Sequence, residues 1–143
     1  MLVRLMYASR ADDDADTETL AAILKQSKEN NARVGVTGVL CFCTNARIFL
    51  PVLESGRNAV SALYNRISQD PRHHDVALLS YEEIGERSFA SWSMGQVNMS
   101  RLNPALVLKY SEGTVLDPYA VSGQASLALF NELVATASIG VQV

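Results

Sequence analysis

Two apolar runs separated by four residues constrain the fold of this 143-residue chain most strongly. The runs cover residues 34–43 and 48–54, and residues 44–47 lie between them. A connection of this length and composition favours a hairpin between antiparallel strands. Pro51 lies inside the second run, where a central strand normally needs the main-chain N–H that proline lacks. The sequence therefore predicts a core hairpin. At Pro51 it predicts either a bulge or a side of the strand where the main chain needs no hydrogen-bonding partner.

Composition restricts the class of protein. With 48% hydrophobic and 19% charged residues, the chain can bury one sizeable core, and we expect one domain (residues 1–100) with an appendage (residues 101–143). A net charge of −3 and scattered basic residues disfavour nucleic acid as the main partner. No apolar run approaches the roughly 20 residues of a membrane helix, and no leader is recognisable. These features predict a cytoplasmic protein that does not bind membranes.

Two amphipathic helices are predicted on either side of the hairpin. The acidic run 12–16 precedes the first helix and can cap it, and the helix should end near Asn30 and Asn31. Ser55 can cap the second helix, which should end before Pro71. Their apolar stripes have helical spacing: Leu20, Ile23 and Leu24 in the first, and Val60, Leu63, Tyr64 and Ile67 in the second.

Further strands are predicted at residues 2–9, 76–81 and 91–98. The resulting order, β-α-β-β-α-β followed by an extra strand, predicts a ferredoxin-like α+β sheet with both helices on one face. A short helix at 103–110 and a longer amphipathic helix from 122 to about 137 follow. The apolar side chains of this tail need cover, so we expect it to pack on the open sheet face or in a homo-oligomer contact.

No catalytic motif is recognisable. The chain lacks a Ser/His/Asp set, a glycine-rich phosphate loop and zinc-ligand spacing. Cys41 and Cys43 are better interpreted as buried thiols than as a redox or metal pair. His73 and His74 follow Pro71, which favours a solvated turn over a metal site. The sequence therefore predicts neither an enzyme nor a metal site.

One constellation of polar residues can bind a ligand. Tyr7 lies in the first strand, Asn30 and Asn31 close the first helix, and Arg66 and Asp70 end the second. Two carboxamides beside a phenol suit a heteroaromatic ring with imide edges, because each amide both donates and accepts. Arg66 suits a phosphate. The alternative interpretation is that these residues are helix caps and surface polar groups.

At these residues the chain resembles the BLUF family of flavin-binding blue-light sensors, in particular the short cyanobacterial type with a C-terminal helical appendage. The resemblance is strong over the first hundred residues and weaker in the tail. The matching segments, in chain order, are residues 7–9, 30–38, 49–50, 52–54 and 66–74, the pair Trp92 and Met94, and residues 108–111.

The resemblance implies a flavin, FAD or else FMN, bound between the two helices against the sheet. It implies that Asn31 binds a ring-edge carbonyl and that Asn30 helps to hold the ring or its chain. Arg66 and Asp70 are expected beside the ribityl-phosphate, and Ile67 against the ring.

In the family, light drives electron and proton transfer between a tyrosine and the flavin, and a glutamine on the third strand then changes its hydrogen bonds. The resemblance assigns the tyrosine to Tyr7, and it assigns transmission of the change to Trp92 and Met94. Those two residues can alternatively be ordinary core residues. Signalling in such proteins passes to a protein partner, and the resemblance implies such a partner for this chain.

The chain departs from the family at the glutamine. Family members read Phe-x-Gln-x-Leu-Glu-Gly, whereas residues 49–55 here read FLPVLES, which aligns Pro51 with the glutamine. Gln96 is the other amide we consider. The resemblance therefore implies a flavin-binding blue-light photoreceptor with an atypical site. The alternatives are a related interaction module that lacks a normal photocycle or lacks flavin, and a small ferredoxin-like hydrolase.

Overall fold

A computed structural model describes residues 1–11, 17–43, 47–91, 95–98, 103–114, 117–135 and 140–141. The predicted α+β element order is confirmed, with one short additional strand at the end. The elements are β1 Leu2–Ala11, α1 Thr17–Val34, β2 Thr37–Cys43, β3 Ile48–Gly56, α2 Arg57–Ser68, β4 His73–Ile84, β5 Gly95–Asn98, α3 Pro104–Tyr110, α4 Gly123–Ala135 and β6 Gly140–Val141.

The strands form one sheet in the order β4-β1-β3-β2-β5-β6. The first four strands have the antiparallel ferredoxin-like arrangement, and β5 runs parallel to β2. The predicted hairpin is β2 with β3, in which Leu40 pairs with Pro51. The sheet order places β1 and β3 in the interior of the sheet, and both carry residues buried on their two faces.

Pro51 coincides with an interruption of the ladder between β1 and β3. The pairs run without a break from Leu2 with Gly56 to Met6 with Val52, and they resume at Ser9 with Phe49. Tyr7 and Ala8 therefore lie in the interval opposite the proline. This is the irregularity that a residue without an N–H predicts inside a central strand.

Alternate strand residues build two hydrophobic clusters on opposite sheet faces. One cluster contains Leu5, Leu40, Leu53, Val60 and Leu63 with other residues, and α1 and α2 cover it. The other contains Met6, Val52, Val107, Leu129 and Phe130 with other residues, so α3 and α4 cover the opposite face. Among the described residues, no helix combines the length and apolar character needed to cross a membrane.

Two predicted helix boundaries were wrong. The first helix continues past Asn30 and Asn31 to Val34 and stops at Gly35, whose φ of 73° is a conformation that glycine adopts without strain. Ser55 does not cap α2, because it is still part of β3 and its hydroxyl donates to the Gly35 carbonyl at 3.0 Å. Gly56 is the N-cap, and it has no side chain that could accept from the helix.

Several strand boundaries also differ from the prediction, since β1, β3 and β4 are longer and β2 and β5 are shorter than predicted. His73 and His74 begin β4 and do not form a solvated turn, because β4 pairs with β1 as far as Ala11. The apolar residues before Thr37 belong to the end of α1 and the connection, so β2 is shorter than predicted. The acidic run 12–16, Trp92 and Met94 lie outside the described residues.

Candidate functional site

A cavity of about 230 Å³ lies between α1, α2 and the sheet. The sheet forms its floor with Tyr7 from β1, Leu40 from β2 and Phe49, Pro51 and Leu53 from β3. The three β3 residues alternate along the strand, so their side chains share the face that α1 and α2 cover. Pro51 is buried in this floor.

Helix α1 contributes one wall. Ile23, Gln26, Ser27, Asn30 and Asn31 line the cavity at intervals of three and four residues, which places them on one helix face. Asn31 is only 1% exposed, and its main-chain carbonyl accepts from Val36. Asn30 is partly buried, and its amide oxygen accepts from the Arg33 guanidinium at 2.6 Å.

The second wall comes from α2 and the turn that follows it. Leu63, Arg66, Ile67 and Asp70 line the cavity at positions i, i+3, i+4 and i+7. Leu63 is buried, Ile67 is partly buried and Arg66 is exposed. The wall is therefore apolar in its buried part and carries the exposed guanidinium of Arg66 at the solvent side.

Arg72 bridges the two walls. Its guanidinium donates to Oδ2 of Asp70 at 2.6 Å, to Oδ1 at 3.0 Å, and to the Gln26 amide oxygen at 3.2 Å. The hydrogen bonds from Arg72 hold the pKa of Asp70 below its usual value. The same contact raises the pKa of Arg72. An ion pair, in which the charge of Arg72 balances that of the Asp70 carboxylate, therefore lies at this part of the cavity.

Tyr7 is the buried phenol of the cavity. It is 5% exposed, and its ring lies edge-on to Tyr64 with 5.5 Å between ring centroids. Burial, with a smaller contribution from Tyr64, raises the pKa of Tyr7 well above its usual value. The phenol therefore keeps its proton at neutral pH. Beside it in the cavity, His73 lies edge-on to Phe49 and its Nδ1 is 3.2 Å from the Ser9 hydroxyl.

The structure brings most of the predicted site residues to this cavity: Tyr7, Asn30, Asn31, Pro51, Arg66, Ile67 and Asp70 all line it. Trp92 and Met94 lie outside the described residues, as does the side chain of Gln96. Within the described part of the chain, no cluster of three or more His, Cys, Asp and Glu is arranged to hold a metal ion.

Sequence reasoning missed Gln26, Arg72 and His73 as residues of the cavity. Gln26 has a recognisable signal, because it precedes Asn30 by four residues on the same helix. Arg72 and His73 lie within the matched segment 66–74, but their position after Pro71 favoured a turn. Only the pairing of β4 with β1 brings them back against the site.

The profile of the BLUF family, described as sensors of blue-light using FAD, matches residues 2–95. The chain is 34% identical over 94 residues to photoactivated adenylate cyclase subunit beta of Euglena longa, a match that covers 65% of this chain and 11% of that protein. It is 28% identical over 116 residues to the blue light- and temperature-regulated antirepressor BluF of Escherichia coli, covering 80% and 28%. The chain thus spans a small part of these relatives.

Similar solved structures cover nearly the whole chain. BlsA in its photo-activated state superposes with a TM-score of 0.83 at 30% identity, covering 94% of this chain and 95% of BlsA. The dark state of BlrB, described as a BLUF protein, gives a TM-score of 0.78 at 30% identity, covering 95% and 96%. Because the family profile matches well over half of its length, this chain belongs to the BLUF family of flavin-binding blue-light sensors.

Proposed function

We propose that this chain binds a flavin nucleotide in the cavity between α1, α2 and the sheet. The observation that carries the proposal is the convergence of the residues to which the resemblance assigns flavin binding. Asn30, Asn31, Arg66, Ile67 and Asp70 come from two helices and a turn, yet all line one cavity.

The walls fit a planar ring with polar edges. Leu40, Phe49 and Leu63 supply apolar surface, and the buried amide of Asn31 can donate to or accept from an imide edge. Ile67 is placed on the same wall as Leu63 and can pack on the ring face. A few polar groups among apolar walls are the usual composition of such sites.

The solvent side of the cavity suits the phosphate-bearing chain of a flavin nucleotide. Arg66 is exposed beside the cavity, and a guanidinium binds phosphate with paired donors. Asp70 is neutralised by Arg72, which weakens the repulsion that a free carboxylate would exert on a phosphate. We propose FAD as the ligand, and FMN offers the same ring and a phosphate to the same groups.

Pro51 removes the group that this family uses as its switch. A flavin held here would supply the absorption of blue light and an electron acceptor. Tyr7 is the proposed donor, and it also retains the phenol proton. Position 51 offers neither a side-chain amide nor a main-chain N–H, so nothing there can exchange donor and acceptor roles between phenol and ring. We therefore propose that the long-lived red-shifted state is absent or strongly reduced.

The proposed output is contact with a protein partner, reached through Trp92, Met94 and the tail. We propose a sensing role for this chain and not an enzymatic one, since the family profile that matches residues 2–95 describes sensors of blue light. The alternative is a BLUF module that keeps the fold but binds no flavin, and Pro51 is the observation that favours it. A homo-oligomer and a cytoplasmic location remain predictions from sequence.

The test is a flavin titration of the purified full chain. We expect yellow protein after incubation with FAD or FMN, and Asn31→Ala should weaken flavin binding about tenfold, the effect of one lost hydrogen bond. Asn65→Ala is the matched control, because Asn65 is exposed on α2 and does not line the cavity. Protein that stays colourless, or equal binding by both variants, contradicts the proposed site.

A further inference from the structure

The connection from β4 to β5 has to cross the sheet. In the strand order, β1, β3 and β2 all lie between β4 and β5. The described part of this crossing segment, residues 85–91, passes the sheet end where β1 and β2 begin and β3 finishes. The flavin site uses none of its residues, yet Trp92 and Met94 follow it directly in sequence.

Glu54 on β3 accepts hydrogen bonds from the crossing segment. Its side chain is fully buried, and its carboxylate accepts from the main-chain N–H groups of Phe89 at 2.7 Å and Ser88 at 3.1 Å. It also accepts from Nε of Arg4 at 2.8 Å. Arg4 donates further to the Ser88 hydroxyl at 2.7 Å. A buried carboxylate with this set of donors is satisfied only while the crossing segment stays in place.

Arg87 fastens the same segment to the start of β2. Its Nη1 donates to the Gly35 carbonyl and to the Thr37 hydroxyl, both at 2.9 Å, and lies 3.3 Å from the Glu54 carbonyl. The segment is thus tied to each of the strands that it crosses: β1 through Arg4, β3 through Glu54 and β2 through Thr37.

The ordered segment presents Phe89 to the tail. Phe89 is completely buried in the cluster that includes Leu129 and Phe130, and its ring lies edge-on to Phe130 with 6.2 Å between centroids. Along β3, Leu50 and Val52 belong to this tail-side cluster, whereas Leu53 lines the flavin cavity. The Glu54 side chain therefore lies on the tail side of the sheet, away from the cavity.

We propose that Glu54 and Arg87 are positioning residues, which fix the crossing segment so that Phe89 forms the docking site for α4. The inference stands on contacts of the chain with itself and does not require flavin. Its consequence for signalling does rest on the proposed function: the same contacts fix residues 87–89, which precede Trp92 and Met94 in the sequence.

The test compares Glu54→Gln with Glu82→Gln in the full-length chain by amide hydrogen exchange. Glutamine keeps one acceptor oxygen but turns an NH₂ group toward donors. We expect exchange in residues 85–91 and in α4 to accelerate by roughly tenfold or more, as loss of a charged hydrogen bond implies. Exchange in the centre of β1 should not change. Glu82 binds the same Arg4 but is 43% exposed, so its variant should leave α4 unchanged.

Two optical measurements complete the test. Trp92 is the only tryptophan of the chain, so the emission of Glu54→Gln should shift, whereas that of Glu82→Gln should not. Flavin affinity should stay within about twofold, because the lost contacts lie on the other sheet face and distant sites act independently. A chain that binds no flavin refutes the proposed function but leaves the exchange comparison decisive.

Three outcomes overturn the inference: unchanged exchange in α4, equal acceleration by both variants, or acceleration of β1 together with α4, which would make Glu54 a general stabilising residue. If Glu54→Gln does not fold, amide exchange is measured on Phe89→Leu instead. It keeps the main-chain N–H that Glu54 binds and removes only the ring, so α4 exchange should still accelerate, and unchanged exchange contradicts the docking site.

Discussion

Tyr7 and Pro51 occupy the same irregular point of the sheet. Pro51 pairs with Leu40 on one side, and on the other side the ladder of β1 with β3 is interrupted at Tyr7. The pairing of β1 with β4 also shifts register between Met6 and Tyr7. The phenol thus lies on a strand segment with fewer regular ladder pairs than its neighbours.

Asp70 and Arg72 give a pH-dependent contribution to stability. The pKa of Asp70 is lowered in the folded state, so its ion pair stabilises the fold above about pH 4, the unfolded value. That stabilisation is lost as pH falls through the folded pKa. Arg72→Gln should lower the free energy of unfolding at pH 7 by roughly 0.5–1 kcal/mol, since Arg72 is 42% exposed.

Urea unfolding at several pH values measures this effect. The difference between the original chain and Arg72→Gln should be constant near neutrality and shrink below about pH 4. In an Asp70→Asn background the Arg72 substitution should show no such pH dependence. A difference that stays constant down to acid pH would place the contribution in the Gln26 contact instead.

Helix and strand identities were predictable, but several ends were not. The apolar spacing of Val60 and Leu63 predicts α2 correctly, because burial against the sheet decides it. Asn30 and Asn31 suggest a helix stop, yet one side chain bonds Arg33 and the other is buried in the cavity wall, so both stay helical. Arg72 and His73 depend on long-range strand pairing, which no local pattern in the sequence reveals.

The start of α4 makes a close contact with β4. A Cβ on Gly123 would lie 2.5 Å from the Leu79 carbonyl oxygen. Leu79 falls where the pairing of β1 with β4 shifts register, between Tyr7 opposite Leu78 and Met6 opposite Ser80. This bulge and the missing side chain together let the helix approach the strand.

Gly123→Ala should therefore destabilise the protein by about 1–3 kcal/mol, the usual cost of forcing atoms into a packed contact. Helix propensity alone predicts the opposite sign. Gly113→Ala is the control, because a Cβ there meets nothing within 4 Å, and it should change stability by less than about 0.5 kcal/mol. Thermal or urea unfolding in which Gly123→Ala is as stable as the original chain rules out the close contact.

At the scale of the whole molecule, one sheet separates two environments. The face under α1 and α2 carries the candidate flavin cavity, and the opposite face carries the apolar cluster that α3 and α4 cover. Leu129 and Phe130 are fully buried there, together with Met6 and Val52 from the sheet. Removing the helix would expose a contiguous apolar surface, a feature associated with self-association.

Deleting residues 122–143 should consequently lower solubility or increase the subunit number. Sedimentation velocity of the truncated and full chains at equal concentration measures the change. Phe130→Ser, which leaves the chain length unchanged, should shift the sedimentation profile in the same direction. A truncated chain that sediments as the full chain does, allowing for its smaller mass, would show that the sheet face needs no cover.

The central proposal is a flavin site in which proline replaces the switching amide. The most direct measurement is the absorption spectrum of the flavin-loaded chain before and after blue light, recorded for the original chain, Pro51→Gln and Pro51→Ala. We expect a reversible red shift only in Pro51→Gln, since alanine restores the N–H without an amide side chain. A reversible red shift in the original chain would contradict the proposal and would make Gln96 the next amide to substitute.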